Sequence, residues 1–343
     1  MTSSTERSAP LPKSASRSNG ALVARRVAIF ALLLILVVGF TFAEPAFLNV
    51  ANLMSILQAV AVVAILGAGV TVTMAVGGFD LSIGAVAASS VMAASYAMVV
   101  WGFNALETVA LVVAFGALVG VLNSVLIIQL RIPDLLATLA LNFLLTGLQL
   151  IPTAGRSIAT GLILPNGDSA DGIFDPHFLA IGRARLLGVV PLPVLLMLVV
   201  AIILHVLTEH TRTGRLLFAV GGNEIAARLA GAPTAKLRFL AYVISAALAS
   251  VGGLIVAARV GRGDISSGAS LLLDAVAAAL IGYAVLNRRR PNVFGTIVGA
   301  IFVGVLLNGL TMLNAPYYTQ DFVKGAVLVG ALSLTYGLGR RTD

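Results

Sequence analysis

Ten apolar runs, each close to bilayer length, follow one another along this chain, and its charges gather in the breaks between them. The runs lie at about 27–42, 53–76, 83–101, 107–130, 134–152, 189–207, 239–258, 270–286, 293–313 and 322–338. A helix advances about 1.5 Å per residue and needs about 20 apolar residues to cross the hydrocarbon. A water-soluble chain of 343 residues could not cover a core drawn from 59% hydrophobic and 10% charged residues. The predicted fold class is an all-α polytopic membrane protein of about ten transmembrane helices. Its 35 glycines suit helices that pack closely in lipid, and the lack of cysteine excludes disulfides and thiolate metal sites. Arg25-Arg26 before Val27–Phe42 has the order of a secretory signal. The run is long for an h-region and further spans follow, so an uncleaved first helix is expected. Residues 1–26 are expected to be a disordered cytoplasmic tail, 27–338 the membrane domain, and 339–343 a cytoplasmic end.

Alternation of spans provides a test of orientation. With the amino terminus inside, Arg7, Lys13, Arg17, Arg25, Arg26, Arg131, Arg212, Arg215, Arg228, Lys236, Arg238, Arg288, Arg289, Arg290, Arg340 and Arg341 all fall inside. Only Arg156, Arg183, Arg185, Arg259, Arg262 and Lys324 fall outside, although the outer connection 153–188 is the longest. Positive charge concentrates on cytoplasmic loops, so both termini and the segment 208–238 are expected in the cytoplasm. Topology thus accounts for the net charge of +8 without a nucleic-acid partner. FDLSIGAVAAS (79–89) resembles LDAVAAALIG (273–282), and FGALVG (115–120) resembles FGTIVG (294–299). Members of each pair stand five spans apart, the spacing of an inverted repeat, although matches so short and rich in Gly and Ala also arise by chance.

The inside segment 208–238 is the one long polar, basic interruption. Gly221-Gly222 reads as a turn, Asn223 as the N-cap of a helix, and Gly231 with Pro233 as its stop. On that helix Glu224 and Arg228 share one face, and Ile225 and Leu229 another. Two turns cannot cross a bilayer, so the helix offers its faces to something outside the lipid, either headgroups or a partner.

Within the spans, GGFDLSIG (Gly77 to Gly84) places Asp80 near membrane depth, where an acid is costly unless paired, hydrated or at a helix start. The spacing predicts that Asp80 caps the 83–101 helix. It is either a plain cap in a cytoplasmic turn or part of a broken helix beside a pathway, with Gly77, Gly78 and Ser82. Asp274 is the other deep acid, and Asn123, Asn142, Gln149 and Asn308 interrupt apolar runs, where such residues commonly bond a neighbouring helix. His177, His205 and His210 lack metal spacing, and no phosphate-binding loop is visible.

GRLLFAVGGNEIAARLAG (214–231) closely resembles the cytoplasmic coupling loop of permease subunits of ribose-type ABC sugar importers. GGFDLSIG resembles the same family's GG-I-D-L-S-x-G signature, with Phe79 in the place of Ile, and LDAVAAALIG a weaker third segment. The likeness covers roughly 45–338. It implies a multi-pass protein of the bacterial inner membrane that forms a homodimer or permease pair. It also implies an ABC ATPase partner with two nucleotide-binding domains, which binds ATP and Mg2+, and an extracytoplasmic sugar-binding protein. This chain is then no enzyme and holds no cofactor. By the resemblance, the ATPase-coupling residues are Gly214, Arg215, Gly221, Gly222, Asn223, Glu224, Ile225, Ala227, Arg228, Leu229 and Gly231. Pathway residues are Gly77, Gly78, Asp80, Ser82, Asn123, Asp274 and Asn308. Where the family has a Gly-rich loop this chain has Tyr283 to Pro291 with Arg288, Arg289 and Arg290, which are expected to meet headgroups or the ATPase. The competing reading is a proton- or sodium-coupled secondary transporter using Asp80 and Asp274. An intramembrane enzyme would need paired catalytic groups beyond these two acids. The motifs carry no substrate signature.

Overall fold

The computed structural model describes residues 17–165, 167–286 and 290–337. Its helices are α1 (Arg17–Ala43), α2 (Val50–Ala75), α3 (Ile83–Val99), α4 (Ala105–Ser124) and α5 (Asp134–Leu148). They continue with α6 (Pro176–Arg183), α7 (Leu192–His205), α8 (Arg212–Gly222), α9 (Glu224–Leu229) and α10 (Thr234–Val260), then α11 (Ala269–Leu286), α12 (Val293–Met312) and α13 (Tyr317–Gly337). Short π-helical turns extend α4 to Gln129 and α7 to His210. Each predicted apolar run falls on one of these helices. By length and composition, 6 described helices can cross a membrane: Val50–Ala75, Ala105–Gln129, Asp134–Thr153, Leu192–His210, Thr234–Val260 and Val293–Met312. Ile29–Ala43, Ile83–Val99 and Ser270–Ala284 are apolar but shorter.

Helix α1 begins at Arg17, so the boundary expected at 26 falls inside a helix; Ala21 to Ala24 carry nothing that would stop one. Residues 1–16, Arg288, Arg289 and 339–343 lie outside the described residues. The connection 153–188 carries a short antiparallel strand pair, its Arg185–Leu186 pairs with Val190–Pro191, and α6 packs against α10.

Helices α2 and α10 form the centre, with 67% and 61% of their apolar stretches buried, against 22% for the stretch containing α5. A helix buried on every side needs small residues where neighbours cross. A Cβ on Gly69 of α2 would stand 3.1 Å from Ser245 Cα of α10, and one on Gly299 of α12 would stand 2.1 Å from the Ala278 carbonyl of α11. The Thr71 and Thr296 hydroxyls join α2 to α12 at 2.6 Å.

One loop pattern occurs at two helix breaks, in a different register from the sequence matches noted above. Gly77-x-x-Asp80-Leu81-Ser82-x-Gly84, between α2 and α3, matches Gly261-x-x-Asp264-Ile265-Ser266-x-Gly268, between α10 and α11. The first glycines have φ of 75° and 74°. In each loop the aspartate Oδ1 accepts from the serine N–H, at 2.9 Å in both, and from the serine hydroxyl, at 2.6 and 2.8 Å. Asp80 therefore corresponds to Asp264. Asp274 lies inside α11, where it cannot play the same part. Packing follows the same rule: α10 rests on α3 and α4 as α2 rests on α11 and α12, and α5 meets α3 as α13 meets α11.

Gly299→Val should force α11 from α12 and cost about 1–3 kcal/mol or more. A Cβ on Gly39 meets nothing within 4 Å, so Gly39→Val should stay within about 0.5 kcal/mol of the parent. Thermal unfolding of the two variants in detergent checks the contrast.

Outside the spans, Asp175 accepts from Ala105 N–H at 2.9 Å and His177 N–H at 2.8 Å. These bonds, Ala105's first, hold its carboxyl below the ordinary carboxylate range. A lowered folded value means the stabilisation is present above the unfolded value and is lost as pH falls through the folded one. Protease nicking of 153–188 should therefore increase on acidification below the ordinary carboxylate range. Asp175→Asn should flatten that dependence.

Candidate functional site

Both glycine motifs singled out in the sequence meet at one end of α2. Thr211 caps α8, its hydroxyl accepting from Gly214 N–H at 3.1 Å, and Gly214 turns so sharply that a Cβ would lie 2.1 Å from the Thr208 carbonyl. Leu217 and Val220 bury one side of α8. Gly221 then lies on the end of α2, where a Cβ would stand 2.3 Å from the Ala75 carbonyl. Gly77 in turn faces Gly221, 3.3 Å from where its own Cβ would be. Gly221-Gly222 is thus the last part of a helix rather than the expected turn, because Thr211 starts α8 and close packing requires glycine at its end.

Asn223 caps α9, accepting from Ala226 N–H at 2.9 Å, and Gly231, at φ 84°, ends it. Glu224 and Arg228 pair along one side. Ala227 is buried, while Ile225 and Leu229 are 75% and 84% exposed, so α9 presents two apolar side chains outward. Arg215 is also exposed. From the far side Arg290 lies over the Phe218 ring of α8 at 5.3 Å, which brings the end of the arginine-bearing loop to this segment.

A polar chain runs inward from α9. Arg238 on α10 bonds Glu224 at 3.2 Å and Asp134, at the start of α5, at 2.7 Å. Tyr242 donates to the other Asp134 oxygen at 2.6 Å. A Cβ on Gly78 would strike both the Tyr242 hydroxyl, at 2.4 Å, and that oxygen, at 2.7 Å. Next along α10, Ser245 donates to Asp80 at 2.8 Å; Asp80 also holds Ser82, and Asn123 of α4 donates to Ser82 at 2.8 Å. Asp80, Ser82, Ser245 and Asn123 are all fully buried. Thr138 of α5 accepts from Leu81 N–H at 3.1 Å, so α5 also grips the segment that Asp80 braces.

Asp80 does not cap α3 as expected. The left-handed turn at Gly77 aims its carboxylate at Ser82 and α10, and Ser82 occupies the cap position without a side-chain bond to the helix amides. Gly77, Gly78, Asp80, Ser82 and Asn123 come together. The remaining two pathway candidates do not join them. Asp274 pairs with Lys324 of α13 at 3.1 Å, so it is not a lone acid, and Asn308 exchanges two bonds with Asn52 of α2, each 3.0 Å. Asp134, Arg238, Tyr242 and Ser245 were missed. The last three follow i, i+4, i+7 spacing along α10, which is a readable polar stripe.

Residues 52–332 match the family model described as branched-chain amino acid transport system / permease component. The ribose import permease protein of Escherichia coli K12 is 35% identical over 301 residues, covering 88% of this chain and 90% of that protein. The galactose/methyl galactoside import permease protein of Salmonella typhimurium LT2 is 30% identical, covering 89% and 92%. The xylose transport system permease protein of Haemophilus influenzae Rd is 28% identical, covering 84% and 90%.

Ser245→Ala removes a donor from a buried carboxylate and should cost about 1.5–3 kcal/mol, the range for hydrogen bonds to charged groups. Thr146→Ala, which loses only an exposed bond to its own helix, should cost under about 0.5 kcal/mol. Unfolding midpoints of the purified variants measure both.

Proposed function

The chain belongs to the branched-chain and ribose-type permease family of ABC importers, and from that premise we propose that it carries a monosaccharide delivered by an extracytoplasmic binding protein. As a family member it is a multi-pass membrane permease of a bacterial importer, a transport subunit rather than the hydrolysing one. The named relatives move ribose, galactose or xylose, which supports a monosaccharide for this chain also.

Segment 208–238 is the docking element for the ATPase, within a membrane domain spanning 27–338. The observation that carries this is α9 itself: a capped helix that exposes Ile225 and Leu229 while its inner side is bonded to α10. Exposed apolar side chains next to charge are what a partner's groove would cover. The coupling residues are Gly214, Arg215, Gly221 to Ile225, Ala227 to Leu229 and Gly231. A rigid-body movement of a docked ATPase would displace α9 and rock the spans between inward and outward access. The reading includes ten spans with both termini cytoplasmic, arranged as an inverted repeat. The basic-residue asymmetry supports that topology, and the matched helix breaks at Asp80 and Asp264 support the repeat. Two copies, or a permease pair, would enclose the pathway. Gly77, Gly78, Asp80, Ser82 and Asn123 support its inner end.

Ile225→Asp with Leu229→Asp should abolish co-purification of the ATPase and solute uptake while membrane insertion stays normal. Retained co-purification would refute α9 as the docking element. The chain has no cysteine of its own, so Leu229→Cys in membranes lacking the ATPase should react only with reagent on the cytoplasmic side. Ile173→Cys should react only from outside.

A further inference from the structure

Among the described helices long enough to cross, α5 is the least enclosed, yet its cytoplasmic end is held by two short polar bonds. Asp134 stands in its first turn, where an acid also suits the positive end of the helix dipole. One carboxylate oxygen takes the Arg238 guanidinium at 2.7 Å and the other the Tyr242 hydroxyl at 2.6 Å. Arg238 and Asp134 are only 20% and 19% exposed, so the pair is shielded from solvent far better than the 68% exposed Arg228 on α9. Arg238 uses a second nitrogen for Glu224 on α9, and the planar fork fixes the angle between the two carboxylates. Gly78 seals the back of the junction, since any side chain there would displace the Tyr242–Asp134 bond.

We infer that Arg238 and Asp134 are positioning residues that carry movement of α9 into α5. This rests on the reading of α9 as the ATPase-docking helix, and it adds the connection by which docking reaches the membrane. The physical case is mechanical. Helix α9 is two turns long, and its inward polar contact is Glu224 on Arg238. Helix α5 buries little of its surface within the chain, so few contacts inside the protomer resist its displacement. Arg238 joins a short outer lever to the least enclosed of the long spans. Losing its charge would leave Asp134 and Glu224 as two unbridged carboxylates that repel one another, freeing α5 from α9 without removing Ile225 or Leu229 from the surface.

The test uses the full-length permease with its ATPase and binding protein in proteoliposomes, with radiolabelled ribose, xylose and galactose as probes. Spin labels are placed at Leu139→Cys on α5 and Leu118→Cys on α4. With ATP and vanadate, the distance between the labels should change in the parent chain and stay at its resting value in Arg238→Gln and in Asp134→Asn. Asp134→Asn, outside the docking segment, should still co-purify with the ATPase and support ATP hydrolysis. Solute accumulated per ATP should fall about tenfold, within the range of an ordinary coupling free energy. Arg238→Lys, which keeps the charge and loses the fork, should fall in between. A label distance that changes as in the parent, together with unaltered uptake in either variant, overturns the proposal. If Arg238→Gln does not fold, Asp134→Asn alone decides, because Asn still accepts from Tyr242. An ATPase that never associates with the parent chain would instead overturn the docking reading, and this inference with it.

Discussion

Backbone that leaves a helix inside a packed bundle must find hydrogen bonds within the protein, since no solvent reaches it there. From Val76 to Ser82 the chain is not helical, and Asp80 meets that demand. Its carboxylate binds the Ser82 N–H and hydroxyl and reaches Ser245 on α10. An acid buried without solvent is tolerable only when its oxygens are engaged in this way. The rest of the site is arranged around that bent segment. Asn123 holds Ser82 from α4, Thr138 holds Leu81 from α5, and Gly221 rests against Gly77 from α8.

The second helix break, at Gly261 to Gly268, repeats the local geometry but not the surroundings. Among the described residues, the Asp264 carboxylate bonds Ser266 and Arg262 of its own loop, and its side chain is 23% exposed. Its carboxyl is held below the ordinary range, first by the Ser266 N–H. The same eight-residue pattern thus serves as a buried three-helix junction at one break and a more solvated turn at the other. That difference fits the neighbours: α4, α5, α8 and α10 crowd the first, whereas the second meets the 153–188 connection through the Ile158–Gly263 bridge.

Glycine explains how so much chain converges on the first break. Gly221 lets α8 lie on α2, Gly78 leaves room for Tyr242 and Asp134, and Gly120 lets α4 approach α10 with no side chain between. Close approach shortens the polar bonds to useful lengths, and those bonds in turn replace packing that small residues cannot provide.

Much of this was legible in the residues themselves, because the signals are local and periodic. Apolar runs of bilayer length, and the cap, pair and stop of the short helix at Glu224–Leu229, depend on neighbours close in the chain. The meeting of Asp134 with Arg238, 104 positions apart, does not. Nor do the partnerships of Asp274 with Lys324 and Asn308 with Asn52, or the placing of Gly221 against the end of α2. Composition and spacing determined that the chain is a membrane bundle with one long polar, basic segment between its spans. Which buried polar residues face one another was decided only by tertiary packing, because a helix sequence records which face is polar but not which helix lies opposite.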